Sequence, residues 1–244
     1  MKIKNINLFS ILDSRGYPSL AGSLELSSGK KVFASIPSGA SVGKYEALEL
    51  RDEDGMGLDV AIEVFNKKIS LTLLGEFPDF VSVDKKLIEL DGTRDKSFLG
   101  ANNTLLASIL VLRAQAAAQE LEEFELISKT FGLAPRIPLI RANLLNGGAH
   151  ALNGMSVQEI MIQPCEVETF EEQQNIITKV YHELKTILRA RGISVAVGDE
   201  GGFAPTINAL GVFSKERVVL GLLMEAVGAL GLQDKVKICL DVAA

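Results

Sequence analysis

The sequence predicts an α/β protein, built as an α+β amino-terminal domain followed by an incomplete β/α barrel. Three observations predict it. Short apolar alternation broken by turn residues runs from Ile3 to Ser35, helical periodicity then takes over, and beyond a proline-marked break apolar strand-like runs recur between helical patterns.

The opening alternation is interrupted at Ser14-Arg15-Gly16-Tyr17-Pro18 and at Ser27-Ser28-Gly29-Lys30, which is how strands joined by tight turns read. A small antiparallel meander is expected there. Pro37 to Lys44 is a run of small residues with no apolar period and predicts a mobile loop. Leu58 to Leu74 and Asn103 to Leu126 carry apolar residues at helical spacing, the second in a strongly helix-favouring background. Pro135 and Pro138 then bias the chain towards extended geometry, so domains are expected at 1–132 and 137–244. In the second domain Leu139 to Leu145, Glu159 to Gln163, Ile193 to Val197 and Val236 to Leu240 read as strands of a parallel, helix-wrapped sheet. Four strands do not close an eight-stranded barrel but make half of one. The helix Phe170 to Ala190 has Ile176, Val180, Leu184 and Leu188 on one face, a capping box in Thr169 and Glu172, and Gly192 past its end. His182 on that helix reads as a structural or surface residue.

Composition narrows the function. The chain of 244 residues is 47% hydrophobic and 23% charged, an ordinary globular balance. A net charge of -6 argues against nucleic acid and acidic membrane surfaces as partners. Cys165 and Cys239 are far apart in sequence and read as free thiols in a reducing compartment. With no signal pattern and no long apolar run, a soluble cytoplasmic protein is expected.

Three stretches hold candidate chemistry. In Val197-Gly198-Asp199-Glu200-Gly201-Gly202-Phe203-Ala204-Pro205 two acids follow an apolar run between glycines, which fits either a proton donor or ligand at a strand end or a turn with solvated acids. Gln158 and Glu159 open an apolar strand after Asn146-Gly147-Gly148-Ala149-His150, and polar groups on a buried strand need partners, whether structural or ligand. Asp241 closes the last strand, offering one oxygen where magnesium takes six.

Together with Leu12-Asp13-Ser14-Arg15-Gly16, Pro37-Ser38-Gly39-Ala40-Ser41, Tyr45 to Asp52 and Leu99-Gly100-Ala101-Asn102, these stretches make the chain resemble the enolases from about residue 5 to its end. The Gly-Asp-Glu-Gly-Gly-Phe-Ala-Pro run is specific to that family. The resemblance implies an enolase-type (TIM-like) barrel and a Mg2+-dependent lyase that dehydrates 2-phosphoglycerate to phosphoenolpyruvate in glycolysis. In that family a lysine base works beside magnesium. Carried over by similarity, Glu200 is the general acid, Glu159 shares or relays its proton and raises its pKa, and His150, Gln158 and Glu159 contact substrate. Asp241 corresponds to a ligand of the tighter magnesium and Ser41 to a lid ligand of the second. Enolases continue well past Asp241 with the base and further metal ligands. The chain is therefore expected to be partial and inactive alone, with a complementary carboxy-terminal polypeptide as one way of completing it. The resemblance implies a homodimer, yet Phe9 and Ala21 stand where enolases commonly place interface charges. Tyr17, Val42 and Leu152 depart from the family pattern as well. A non-catalytic enolase-like paralogue with a binding or structural role is the alternative.

Overall fold

A computed structural model describes all residues except 38, 40–42, 199, 208–213 and 244. The chain divides into two compact units, Met1–Pro135 and Arg136–Ala244.

In the first unit strands β1 (Ile3–Leu12), β2 (Pro18–Leu26) and β3 (Lys31–Ser35) form an antiparallel sheet in that order. The predicted meander is present because alternation and turn residues agree on it: Gly16 and Gly29 take φ of +79° and +87°, which a Cβ disfavours. Helices α1 (Asp59–Val64) and α2 (Leu71–Leu73) are joined through a π-helical segment, Phe65–Ser70, so the helix expected from Leu58 to Leu74 runs through with its middle turn widened. Helices α3 (Phe80–Asp91), α4 (Ala101–Gln119) and α5 (Glu123–Phe131) complete the unit. The helix expected from Asn103 to Leu126 is two helices, because Glu120 turns left-handed at φ +57° and Glu122 starts a new one, its N–H bonded to the Glu125 carboxylate at 2.9 Å. Leu106, Leu110, Val111 and Ala114 of α4 are fully buried with Leu20, Leu24 and Leu26 of β2. That approach requires a glycine at 22, since a Cβ there would stand 3.0 Å from both the Leu110 Cδ1 and the Asn7 carbonyl.

The second unit contains β4 (Ala142–Asn146), β5 (Glu159–Pro164), α6 (Phe170–Ala190), α7 (Lys215–Ala229) and β6 (Val236–Asp241). Its sheet has the order β4-β5-β6, and both pairings are antiparallel, which corrects the expected parallel arrangement. The apolar run Ile193 to Val197 is not a strand: Val197 makes a lone bridge to Phe203, and Phe203 itself takes the place beside β4 with bonds to Leu144 and Asn146. Ile160 and Ile162 are buried with Val180, Leu184, Leu188, Val219 and Leu223 of the helices, while Glu159, Met161 and Gln163 occupy the other face of β5. Helix α6 matches its expected ends, with Thr169 Oγ1 accepting from the Glu172 N–H at 3.1 Å, the Glu172 carboxylate accepting from the Thr169 N–H at 3.1 Å, and Gly192 at φ +68°. His182 is exposed on it, and both cysteines are free and half-buried. Among the described residues no helix is long and apolar enough to cross a membrane.

Candidate acid cluster at the sheet end

Antiparallel pairing explains why Glu159 opens a strand while Asp241 closes one. The start of β5 lies beside the ends of its two neighbours, so Glu159 pairs with Asn146 on one side and Asp241 on the other. The main chain locks this end: the Gln158 N–H donates to the Asp241 carbonyl at 3.0 Å and the Gly147 N–H to the Gln158 carbonyl at 2.9 Å. Gln158 is itself buried at 7% exposure.

The connection from β4 to β5 turns tightly. Gly148 takes φ +53°, and a Cβ on Gly147 would collide with the Val157 carbonyl and lie 2.7 Å from the Met155 side chain. The resulting 3-10 turn, Gly148–His150, points the buried imidazole of His150 at the acids. Its Nδ1 stands 3.5 Å from Glu159 Oε1 and its Nε2 3.7 Å from Glu200 Oε1. These are close approaches at or beyond the limit of hydrogen-bond reach, and Nδ1 is buried without a hydrogen-bond partner among the described residues.

Glu200 arrives from a different loop, held by its glycines. The Gly198 N–H donates to the Gly202 carbonyl at 2.9 Å and the Gly201 N–H to the Gly198 carbonyl at 3.1 Å. Phe203, fully buried, stacks on Tyr181 of α6 with ring centroids 4.5 Å apart and anchors the loop. Burial separates the two acids, the side chain of Glu159 being 14% exposed and that of Glu200 43%. A hydrogen bond to Glu200, then burial, then the negative charges of Glu200 and Asp241 push the Glu159 carboxyl up to about 7. The cluster thus holds a proton near neutrality on Glu159.

His150, Glu159 and Glu200 offer one nitrogen and two carboxylate oxygens within 4.8 Å of one another, a group able to hold a metal ion. A mixed nitrogen and oxygen set of this kind suits transition metals, whereas magnesium takes oxygens. Asp241 is the hard oxygen donor beside the cluster: its carboxylate, half-buried, accepts from the Ala243 N–H at 2.9 Å. Of the residues singled out in the sequence, the structure brings together His150, Gln158, Glu159, Glu200 and Asp241; Ser41 lies outside the described residues, as do Val42 and Asp199. A cleft of about 710 Å³ elsewhere, in the first unit, is lined by Arg15, Tyr17, Glu49 and Arg51. Its guanidiniums are engaged by Asp13, Glu49 and backbone carbonyls.

Several supporting residues escaped the sequence reading. Asn153 donates to the Asn146 carbonyl at 2.8 Å, Lys215 to the Asn153 carbonyl at 2.9 Å, and Glu216 accepts from the Ser156 N–H at 2.7 Å, so the first turn of α7 clasps the loop that follows His150. The one signal for them was polar residues at the edges of apolar runs.

Residues 3–127 match the family model described as Enolase, N-terminal domain, and residues 135–244 match Enolase, C-terminal TIM barrel domain. The protein named Enolase from Elusimicrobium minutum (strain Pei191) is 41% identical over 250 residues, an alignment covering 100% of this chain and 57% of that protein.

Proposed function

The chain belongs to the enolase family, and we propose that it supplies the acid side of an enolase site, acting in the cytoplasmic, glycolytic dehydration of 2-phosphoglycerate to phosphoenolpyruvate. The observation that carries this reading is the gathering of Glu159, Glu200 and His150 within 4.8 Å of one another, with Asp241 paired beside Glu159, where the Glu159 carboxyl is pushed up to about 7.

Loss of hydroxide from C3 of 2-phosphoglycerate needs a proton delivered to the departing oxygen. A carboxylic acid that stays protonated near neutral pH is suited to that task, because it donates readily and is reprotonated readily at working pH. Glu200, the more exposed member, is proposed to face the substrate, with Glu159 as the reservoir behind it and His150 and Gln158 as substrate contacts. The imidazole stands 3.5 Å from Glu159 and 3.7 Å from Glu200, between the two acids.

Magnesium is the proposed ion, and when bound it neutralises negative charge developing on the substrate. Asp241 fits it by donor chemistry, as one oxygen of the six that ion takes, and Ser41 is the proposed ligand from the lid; the His150 group, with its nitrogen, does not fit it. The base for the C2 proton and the remaining metal ligands come from groups outside this set. The chain spans 57% of the length of the relative it matches, and the 244 residues alone are proposed to turn over extremely slowly. A homodimer is the proposed assembly by family; Phe9, exposed, and Ala21, buried and paired with it across β1 and β2, stand where enolases commonly place interface charges and supply none.

The test is formation of phosphoenolpyruvate from 2-phosphoglycerate in magnesium buffer, using the chain assembled with the remaining barrel segment of an enolase. Glu200→Gln is expected to lower turnover about 10²- to 10⁴-fold. Full activity in both Glu200→Gln and Glu159→Gln would remove this reading.

A further inference from the structure

We propose that Asn146 is a positioning residue that sets the spacing between the loop carrying His150 and the loop carrying Glu200; the inference rests on the acid role proposed above for those loops.

Asn146 is the last residue of β4 and is fully buried. Its backbone already touches both loops, the N–H donating to the Phe203 carbonyl at 2.9 Å and the carbonyl accepting from Asn153 Nδ2 at 2.8 Å. Its carboxamide fills the space that two glycines leave open. A Cβ on Gly198 would stand 2.5 Å from Asn146 Nδ2, and one on Gly202 would collide with Asn146 Oδ1. The Glu200 turn therefore packs most closely on this side chain, with the His150 carbonyl 2.6 Å from a Cβ on Gly198 and Asn143 Oδ1 3.1 Å from one on Gly202, at the two residues whose mutual hydrogen bond closes the turn. On its other side Asn146 pairs in register with Glu159. The residue thus stands where the two acids and the imidazole converge, though it is neither acid nor base.

Packing alone does not account for it. Oδ1 accepts from Asn143 Nδ2 at 2.6 Å, but Nδ2 is buried with no hydrogen-bond partner among the described residues. An unpartnered buried donor is costly relative to an apolar group of the same shape, so a residue kept for packing alone gains nothing from Nδ2.

The chain contains only two histidines, His150 in the cluster and His182 exposed on α6, so ring resonances of the full chain report the geometry with an internal reference. Asn146→Leu and Asn146→Ala are expected to displace the His150 ring signals by more than a linewidth and to leave those of His182 in place. Leu223→Ala, which opens a cavity in the same core, is expected to lower the unfolding temperature without displacing His150. Asn146→Ser, which removes less volume, carries the same reading where the alanine variant does not fold. Unmoved His150 signals in the Asn146 variants, or equal displacement in Leu223→Ala, would overturn the assignment. Failure of the acid role itself shows separately, as full turnover in Glu200→Gln with the His150 displacement intact.

Discussion

Replacing Glu159 with glutamine removes the group whose proton affinity differs most from its unfolded value, and the stability profile against pH reads the change. In the folded chain the Glu159 carboxyl is raised from its ordinary 4.5 to about 7, first through its hydrogen bond to Glu200, then through burial and the charges of Glu200 and Asp241. Between those values the folded state holds a proton that the unfolded state has released, so stability falls as pH rises. The contribution is fully present below about 4.5 and is lost once pH passes about 7. At 1.36 kcal/mol for each factor of ten in proton affinity, the difference comes to about 3 kcal/mol. The Glu159 side chain is 14% exposed, but Glu200, the first cause of the shift, is 43% exposed, so about 3 kcal/mol is an upper figure once solvent screening is counted. Urea unfolding of wild type and Glu159→Gln from pH 4 to pH 8 reads the Glu159–Glu200 pair by subtraction, because carboxylates outside this coupled pair are common to both. Wild type is expected to lose up to about 3 kcal/mol relative to the variant across that window, and in Glu200→Gln most of that loss should vanish. A flat difference, or one that rises with pH, would refute the shared proton and with it the electrostatic account of the site.

Other outcomes follow from single contacts. Thr169→Ala removes the acceptor for the Glu172 N–H at the start of α6 and is expected to cost about 1 kcal/mol, seen as a fall of about 2–4 °C in Tm. Leu110→Ala opens a cavity between α4 and β2 at a fully buried position and is expected to cost about 2–5 kcal/mol in chemical denaturation. Gly202→Ala drives a methyl into Asn146 and to 3.1 Å from the Leu144 carbonyl carbon; a destabilisation of about 1–3 kcal/mol is expected, and an alanine tolerated at no cost would show the Glu200 turn to be looser than described.

Much of this was legible in the residues because local signals agreed with one another. The first sheet has alternation and left-handed turn glycines pointing to the same hairpins, and α6 has a capping box, a continuous apolar face and a terminating glycine. Strand direction was not legible, since Val236 to Asp241 has the same apolar content whether its neighbour runs with it or against it. The clue lay in Glu159, an acid opening a strand, which antiparallel pairing places with the acid that ends the next one. Ile193 to Val197 misled because apolar content does not reveal that Phe203, farther along, would occupy the position beside β4. The break after α4 was hidden because Glu120 is an ordinary helix former that here adopts a left-handed backbone. Asn146 carried no signal beyond its place before two glycines.

The alternation of β5 ties inheritance of the site to the number of residues in a short stretch of chain. Ile160 and Ile162 must meet the helices and Glu159 must not, so the phase of the connection between Asn146 and Glu159 selects which surface receives the acid. A single codon gained or lost between 147 and 158 has two outcomes: the loop absorbs it, or the strand slides one place and seats a carboxylate among leucines. Length changes there should therefore be tolerated in an abrupt, parity-dependent manner, unlike the graded losses that follow from trimming a side chain in the core.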